Sequence, residues 1–308
     1  MIGSSSANLL RWELAARNRE YASRLRLPHV VSAQAGSAVV YAPSEDGQAH
    51  GNFERASYAA ILKNAQWRKR LAKAHSGKKK LAQLERETVR PWCELDSCAS
   101  SDALLMNIFC FPGVLQRREV ISLLGLTLDP SLSDTVADFG LKARVPRANG
   151  SGDATEIDMR VGDLLVEAKL TEADFQRRDI SAVERYRDFD AVFDPDALPR
   201  SKIRRKPVHD HDCGEMLVEV SGNRYESYQM IRNVLAAYAL GCRLCVLIHE
   251  SRVDLRERYH AILRAVRDFE IRTRCTILTW QELSAALPQP LRMFVSEKYG
   301  ISPALHGG

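Results

Sequence analysis

Asp158, Glu167 and Lys169 fall in one short stretch, T-E-I-D-M-R-V-G-D-L-L-V-E-A-K-L over Thr155–Leu170, and are residue types that metal-assisted phosphate chemistry uses. Carboxylate oxygens are the preferred ligands of Mg²⁺ and Mn²⁺. A divalent ion held by them polarises a phosphate and lowers the pKa of a bound water. An amine beside it meets the negative charge that develops. For this the two acids must point to one place. Two alternating runs joined by Gly162-Asp163 predict a hairpin that does so, because Gly supplies the positive φ of a tight two-residue turn. The turn sets the register. Val161 then faces Leu164, Met159 faces Val166 and Ile157 faces Ala168, all apolar. On the other face Asp158 lies opposite Glu167, and Glu156 opposite Lys169.

Like charges directly opposed across two strands cost roughly 0.2–1 kcal/mol. A divalent cation between Asp158 and Glu167 reverses the sign of that interaction. The plainer alternative is a solvated face, with Glu156–Lys169 as an ordinary cross-strand ion pair and water screening the rest. That alternative accounts well for the Glu–Lys pair and poorly for the Asp–Glu pair.

An Asp followed on the next strand by Glu-x-Lys resembles the signature of the PD-(D/E)XK nuclease superfamily, which has the restriction-endonuclease-like fold. The match here is Asp158 with Glu167-Ala168-Lys169, and Ile157 stands where the superfamily has Pro. The resemblance implies that Asp158, Glu167 and the main-chain carbonyl of Ala168 hold Mg²⁺ (or Mn²⁺). It implies that Lys169 positions or activates the water that attacks a phosphodiester, most of all in DNA. Glu156 is expected as an outer acid that orients Lys169. In some families of the superfamily the following helix brings a Gln or Tyr near the metal, and Gln229 is similar in placement. Many members carry an acid on the helix before the first strand; Asp102 and Glu119 are both candidates.

The elements that must position these residues follow from periodicity and punctuation. Leu9–Leu27 has helical apolar spacing, Ser32–Gly51 reads as a loop, and Asn52–His75 reads as a helix. Asp102–Phe111 is an apolar helix with Ser100 or Ser101 as N-cap, and Val114–Leu124 is a shorter one. Val136–Val145 reads as a strand and Arg147–Asp153 as a loop before the hairpin. Beyond it, Thr171 is expected to cap a helix to about Phe189, and Asp190–Gly214 to form a long loop. Tyr225–Leu240 is a helix closed by Gly241. Arg243–His249 is an apolar strand of the kind buried in a parallel sheet. Helix Asp254–Phe269, strand Cys275–Trp280 and short helix Gln281–Leu287 follow. The fold class expected is α/β: a mixed central sheet with an antiparallel hairpin followed by parallel strands, helices on both faces, and a mainly helical N-terminal region. Residues 1–99 form that region and 100–308 the nuclease-like core with a C-terminal helix.

The chain has 308 residues, ordinary globular composition and a net charge of +5, whose distribution says more than its size. Ten Lys/Arg face two Glu between Lys63 and Arg90, including Lys78, Lys79 and Lys80. Arg200–Lys206 holds five basic residues, among them Arg204, Arg205 and Lys206, and no acid. Both suit a phosphate backbone, and both equally suit a solvated surface. Seven irregularly spaced cysteines and no signal-like start lead us to expect reduced thiols and a cytoplasmic protein. No stretch is long and apolar enough for a membrane span. Cys242 and Cys245 head an apolar strand and read as buried small side chains, and the His209–Cys213 cluster follows no zinc-knuckle or finger spacing. No phosphate-cradling P-loop and no G-x-S-x-G elbow occurs. The function expected is a metal-dependent nuclease with nucleic acid as partner, and a homodimer is left open. The alternative is a non-catalytic nucleic-acid-binding or assembly protein that retains the fold.

Overall fold

The hairpin forms in the expected register. In the computed structural model Met159 pairs with Val166, Arg160 with Leu165 and Val161 with Leu164, around Gly162 at φ +56°. The structure describes residues 6–32, 38–74, 93–126, 136–201, 204–210, 214–220 and 223–303, with 204–210 and 214–220 described by their backbone alone.

Five strands make one mixed sheet: β1 (Asp138–Lys142), β2 (Glu156–Val161), β3 (Leu164–Ala168), β4 (Arg243–Ile248) and β5 (Cys275–Thr279). Their order is β5-β4-β3-β2-β1. β1, β2 and β3 run antiparallel to their neighbours, whereas β4 pairs parallel with both β3 and β5. The Arg243 guanidinium holds both oxygens of the Asp163 carboxylate, at 2.9 and 2.8 Å, and the Arg243 amide donates to the Asp163 carbonyl. The hairpin turn thereby sets where β4 begins against β3.

Helices cover both faces, which is why β3 and β4 are apolar almost throughout. Leu165, Leu244, Val246 and Ile248 join a core beneath the helix Tyr228–Leu240, which supplies Met230, Ile231 and Val234. Leu164, Val166, Ala168, Cys245 and Leu247 face the other way, into a core with Leu104, Leu105 and Trp280. Leu10 and Leu14 of the first helix, Ser6–Arg24, enter that second core. Cys242 and Cys245 are buried among apolar side chains, as expected. No helix among the described residues is long and apolar enough to cross a membrane.

Four expectations are corrected. The helix expected over Asn52–His75 is two, Arg55–Lys63 and Ala65–Arg70, because Asn64 turns extended and its side chain caps the second by accepting from the amides of Gln66 and Trp67. The helix expected from Thr171 to Phe189 is absent. There the Asp174 carboxylate accepts from the Gln176 amide, Gln176 takes φ +63°, and Arg177–Asp179 becomes a strand beside Arg224–Glu226. Tyr225 accordingly lies on a strand, and the helix begins at Tyr228 after Ser227 at φ +58°. The loop expected over Asp190–Gly214 contains a strand, Arg204–Asp210, paired with Gly214–Val220.

Candidate active site

Asp158 sits where β2 leaves regular pairing. Its neighbours Ile157 and Met159 pair with Leu141 and Phe139 of β1, and the ladder to β3 stops at Met159–Val166. Past that point the Asp158 carboxylate reaches across and accepts from the Ala168 amide at 2.8 Å. A residue's N–H and C=O point to the same side of an extended strand, so the Ala168 carbonyl also faces β2. Glu167 is 1% exposed. The acid face is therefore packed under a helix, which removes the solvated-face alternative.

A buried carboxylate needs partners, and Glu167 has two. Lys169 Nζ donates to its Oε1 at 2.5 Å and Asn233 Nδ2 to its Oε2 at 2.7 Å. Arg232 in turn donates to the Asn233 Oδ1 and to the Glu156 carbonyl, locking the amide's orientation. Burial alone would lower the Lys169 amine, but Glu167, then Asp158 and Glu172, outweigh it and hold the amine well above the usual lysine range. Asp158 behaves oppositely. Burial, then the charges of Glu167 and Asp102, push its carboxyl well above the usual range, against weaker help from Lys169 and the Ala168 amide. The site thus holds a satisfied ion pair beside an acid that lacks sufficient positive charge.

Of the two upstream candidates, the structure brings in Asp102. It is 6% exposed near the start of the helix Ser101–Phe109, whereas Glu119 is exposed and pairs with Arg117 at 3.4 Å. Asp102 accepts from Arg70 at 2.8 Å and Lys73 at 3.0 Å. The same two cations hold Glu156, at 3.0 and 3.5 Å, and Arg70 keeps its carboxyl below the usual range despite partial burial. Glu156 is therefore turned toward Arg70 and away from Lys169, and the expected Glu156–Lys169 pair does not form. Gly140 makes room for this: a Cβ there would stand 2.0 Å from Arg70 Nη1, and φ is +70°.

Gln229 is not the helix residue that reaches the acids; Asn233, one turn further on, is. The signal was present in the sequence as a polar residue on an otherwise apolar helix, V-L-A-A-Y-A-L following it. Arg70 and Lys73 were submerged in a basic run and carried no distinguishing pattern. Lys78, Lys79 and Lys80 lie outside the described residues, as do residues 211–213 of the His/Cys cluster. Arg204, Arg205 and Lys206 lie on the strand Arg204–Asp210.

Among the described residues no group of three or more His, Cys, Asp or Glu is arranged to hold a metal ion. Mg²⁺ commonly takes one or two carboxylates and completes its shell with water and substrate oxygens. Asp158, Glu167 and the Ala168 carbonyl suit that habit, since each hydrogen-bonded carboxylate oxygen keeps a second lone pair. The under-compensated Asp158 suits it too.

A family model described as restriction endonuclease associating with ARP matches residues 27–300. The chain belongs to this family. Membership agrees with the PD-(D/E)XK resemblance carried by Asp158 and Glu167-Ala168-Lys169, and makes the protein one of the restriction-endonuclease-like group. No curated protein and no solved structure matches the chain.

Proposed function

We propose that this family member is a divalent-metal-dependent nuclease acting on nucleic acid, DNA foremost. The supporting observation is the Asp158 carboxyl, pushed up by Glu167 and Asp102 and set against the Ala168 amide beside the Glu167–Lys169 pair. Asp158, Glu167 and the Ala168 carbonyl would hold Mg²⁺ or Mn²⁺. Such an ion, when bound, supplies Lewis acidity toward a phosphate oxygen and toward water.

The chain's own residues divide the remaining work. Lys169 keeps its proton, so it meets negative charge developing on the phosphate and does not serve as the base. Asn233 is a positioning residue that fixes the Glu167 rotamer. Arg70 and Lys73 keep Asp102 and Glu156 ionised at the rim of the site. Lys78, Lys79, Lys80, Arg204, Arg205 and Lys206 are assigned to backbone phosphates, contacts that add affinity without reading sequence.

The family's description favours a second element, association with an ARP partner. Assembly with such a partner, without cleavage by this chain, is the competing reading. Incubating purified protein with duplex DNA, single-stranded DNA and RNA in Mn²⁺ or Mg²⁺ separates the two. Cleavage that vanishes with chelator and in Asp158→Asn is expected. Cleavage that persists in Asp158→Asn overturns the site assignment, and no cleavage of any substrate favours the assembly reading.

A further inference from the structure

A second constellation lies at the other end of the helix Tyr228–Leu240. A pocket of about 360 Å³ is lined by Arg147, Asn149, Arg178, Arg185, Tyr186 and Tyr228. Its floor is built around Asp153, which is 4% exposed. The Tyr186 and Tyr228 hydroxyls donate to Asp153 Oδ2 at 2.5 and 3.1 Å, Arg147 donates to the same oxygen at 3.1 Å, and Thr155 donates to Oδ1 from its amide at 2.8 Å and from its hydroxyl. Despite burial these hydrogen bonds hold Asp153 well below the usual carboxylate range. Its charge is consumed below the pocket.

What faces outward is positive. Arg147 stacks over the Tyr186 ring and Arg178 over the Tyr228 ring, at 6.0 and 5.8 Å to the centroids, so the rings orient two guanidinium groups. Nearby acids are committed elsewhere: Asp179 to Arg224 at 2.9 Å, and Glu184 to the Tyr225 hydroxyl at 2.9 Å. Among the described residues Arg178 and Arg185 have no carboxylate partner. Three guanidiniums around one concavity, with the only buried acid already neutralised, match the geometry of phosphate recognition.

We propose that this pocket anchors a phosphate of the nucleic-acid strand, away from the bond that is cut. The assignment rests on the nuclease reading, and the helix supplies the spacing. Tyr228 and Asn233 are five residues apart on one helix, roughly 7.5 Å at 1.5 Å per residue. Phosphates on one strand of a duplex advance about 3.4 Å each along its axis, so the anchored phosphate lies on the order of two nucleotides from the scissile one.

The test uses the full chain, with duplex and single-stranded DNA oligonucleotides and Ca²⁺ in place of Mg²⁺ to prevent cleavage, and with inorganic phosphate as a separate probe. Arg178→Ala/Arg185→Ala should weaken oligonucleotide binding at least tenfold and reduce the salt slope by about two, one per lost phosphate contact. Mn²⁺ affinity should be unchanged. Arg178→Lys/Arg185→Lys should restore the slope but only part of the affinity, since Lys lacks the planar fork. An unaltered affinity and slope in the alanine variant overturns the anchor, as does a pocket that takes inorganic phosphate while oligonucleotides ignore it. Loss of the nuclease reading registers separately, as absence of Mn²⁺ binding that depends on Asp158.

Discussion

Lys169 and Lys298 are both buried, at 5% and 0% exposure, in surroundings of opposite character. Lys169 sits among carboxylates, with Glu167 as direct partner and Asp158 and Glu172 close enough to hold it protonated. Lys298 sits in an aromatic cage, its Nζ 3.6 Å from the centre of the Tyr41 ring and 4.9 Å from that of Tyr21, with Asn18 Oδ1 accepting at 2.7 Å. No carboxylate faces it, and burial pushes its amine well below the usual lysine range. One lysine is part of a charged device that excess acid leaves incomplete. The other is a packed amphiphile whose polar end is met by an amide. Burial alone therefore does not mark a functional lysine; the sign of the surrounding charge does.

The largest expected effect breaks the first environment. Glu167→Gln leaves Lys169 without its ion-pair partner and should destabilise the metal-free protein by about 3 kcal/mol, the scale of breaking a buried pair, read by chemical denaturation. Combining it with Lys169→Met should recover much of that loss, because the two residues act as a unit. A double variant as unstable as the sum of the single ones would mean the pair is not coupled.

Lys298→Met is expected to be neutral or stabilising by about 1 kcal/mol, since a hydrophobe of similar volume carries no desolvation penalty. The pH dependence has opposite sign for the two lysines. With its pKa depressed in the fold, Lys298 costs stability as pH falls from about 10.4 toward the folded value, because only the unfolded chain then gains the proton. With its pKa raised, Lys169 contributes stability that is complete below about 10.4 and is lost as pH rises through the folded value. Lys298→Met should thus gain most over the parent on the acid side of that window. A gain that is equal at all pH values would contradict a neutral buried lysine.

A smaller effect sharpens the acidic side. Asp158→Asn removes a like charge without orphaning Lys169 and should stabilise the metal-free protein by roughly 0.2–1 kcal/mol at neutral pH. Its folded pKa is raised, so the penalty in the parent grows as pH rises above about 3.9, where the unfolded chain ionises first. The gain should therefore disappear in acid.

These contrasts also show what was legible in the sequence. The hairpin was, because period-two alternation and Gly162 leave one register that keeps Met159, Val161, Leu164 and Val166 on a core face. β4 and β5 were, as short apolar runs between helices. The stretch after Leu170 was not. Its helical spacing is overridden by tertiary partners: Arg252, fully buried, donates to the carbonyls of Leu170, Glu172 and Ala173, and Glu172 itself accepts from the Leu170 amide. The strand at Arg204–Asp210 was hidden by a Pro at 207 and by charge density. At the site, Asp158, Glu167 and Lys169 were read from local spacing. Asp102, Arg70 and Asn233 come from other elements, and only the assembled fold brings them together. The Lys298 cage is more remote still, since Asn18 is 280 residues away.

The central claim is that Asp158 and Glu167 await a divalent cation, and Mn²⁺-dependent stabilisation of the parent and of Asp158→Asn tests it most directly. Denaturation in increasing Mn²⁺ should raise the parent's stability by about 2.7 kcal/mol at a hundred times the dissociation constant, as ligand linkage requires. Asp158→Asn, starting from equal or greater stability, should gain almost nothing. Equal stabilisation of both proteins by Mn²⁺ would contradict the account, for the ion would then bind somewhere other than between these two carboxylates.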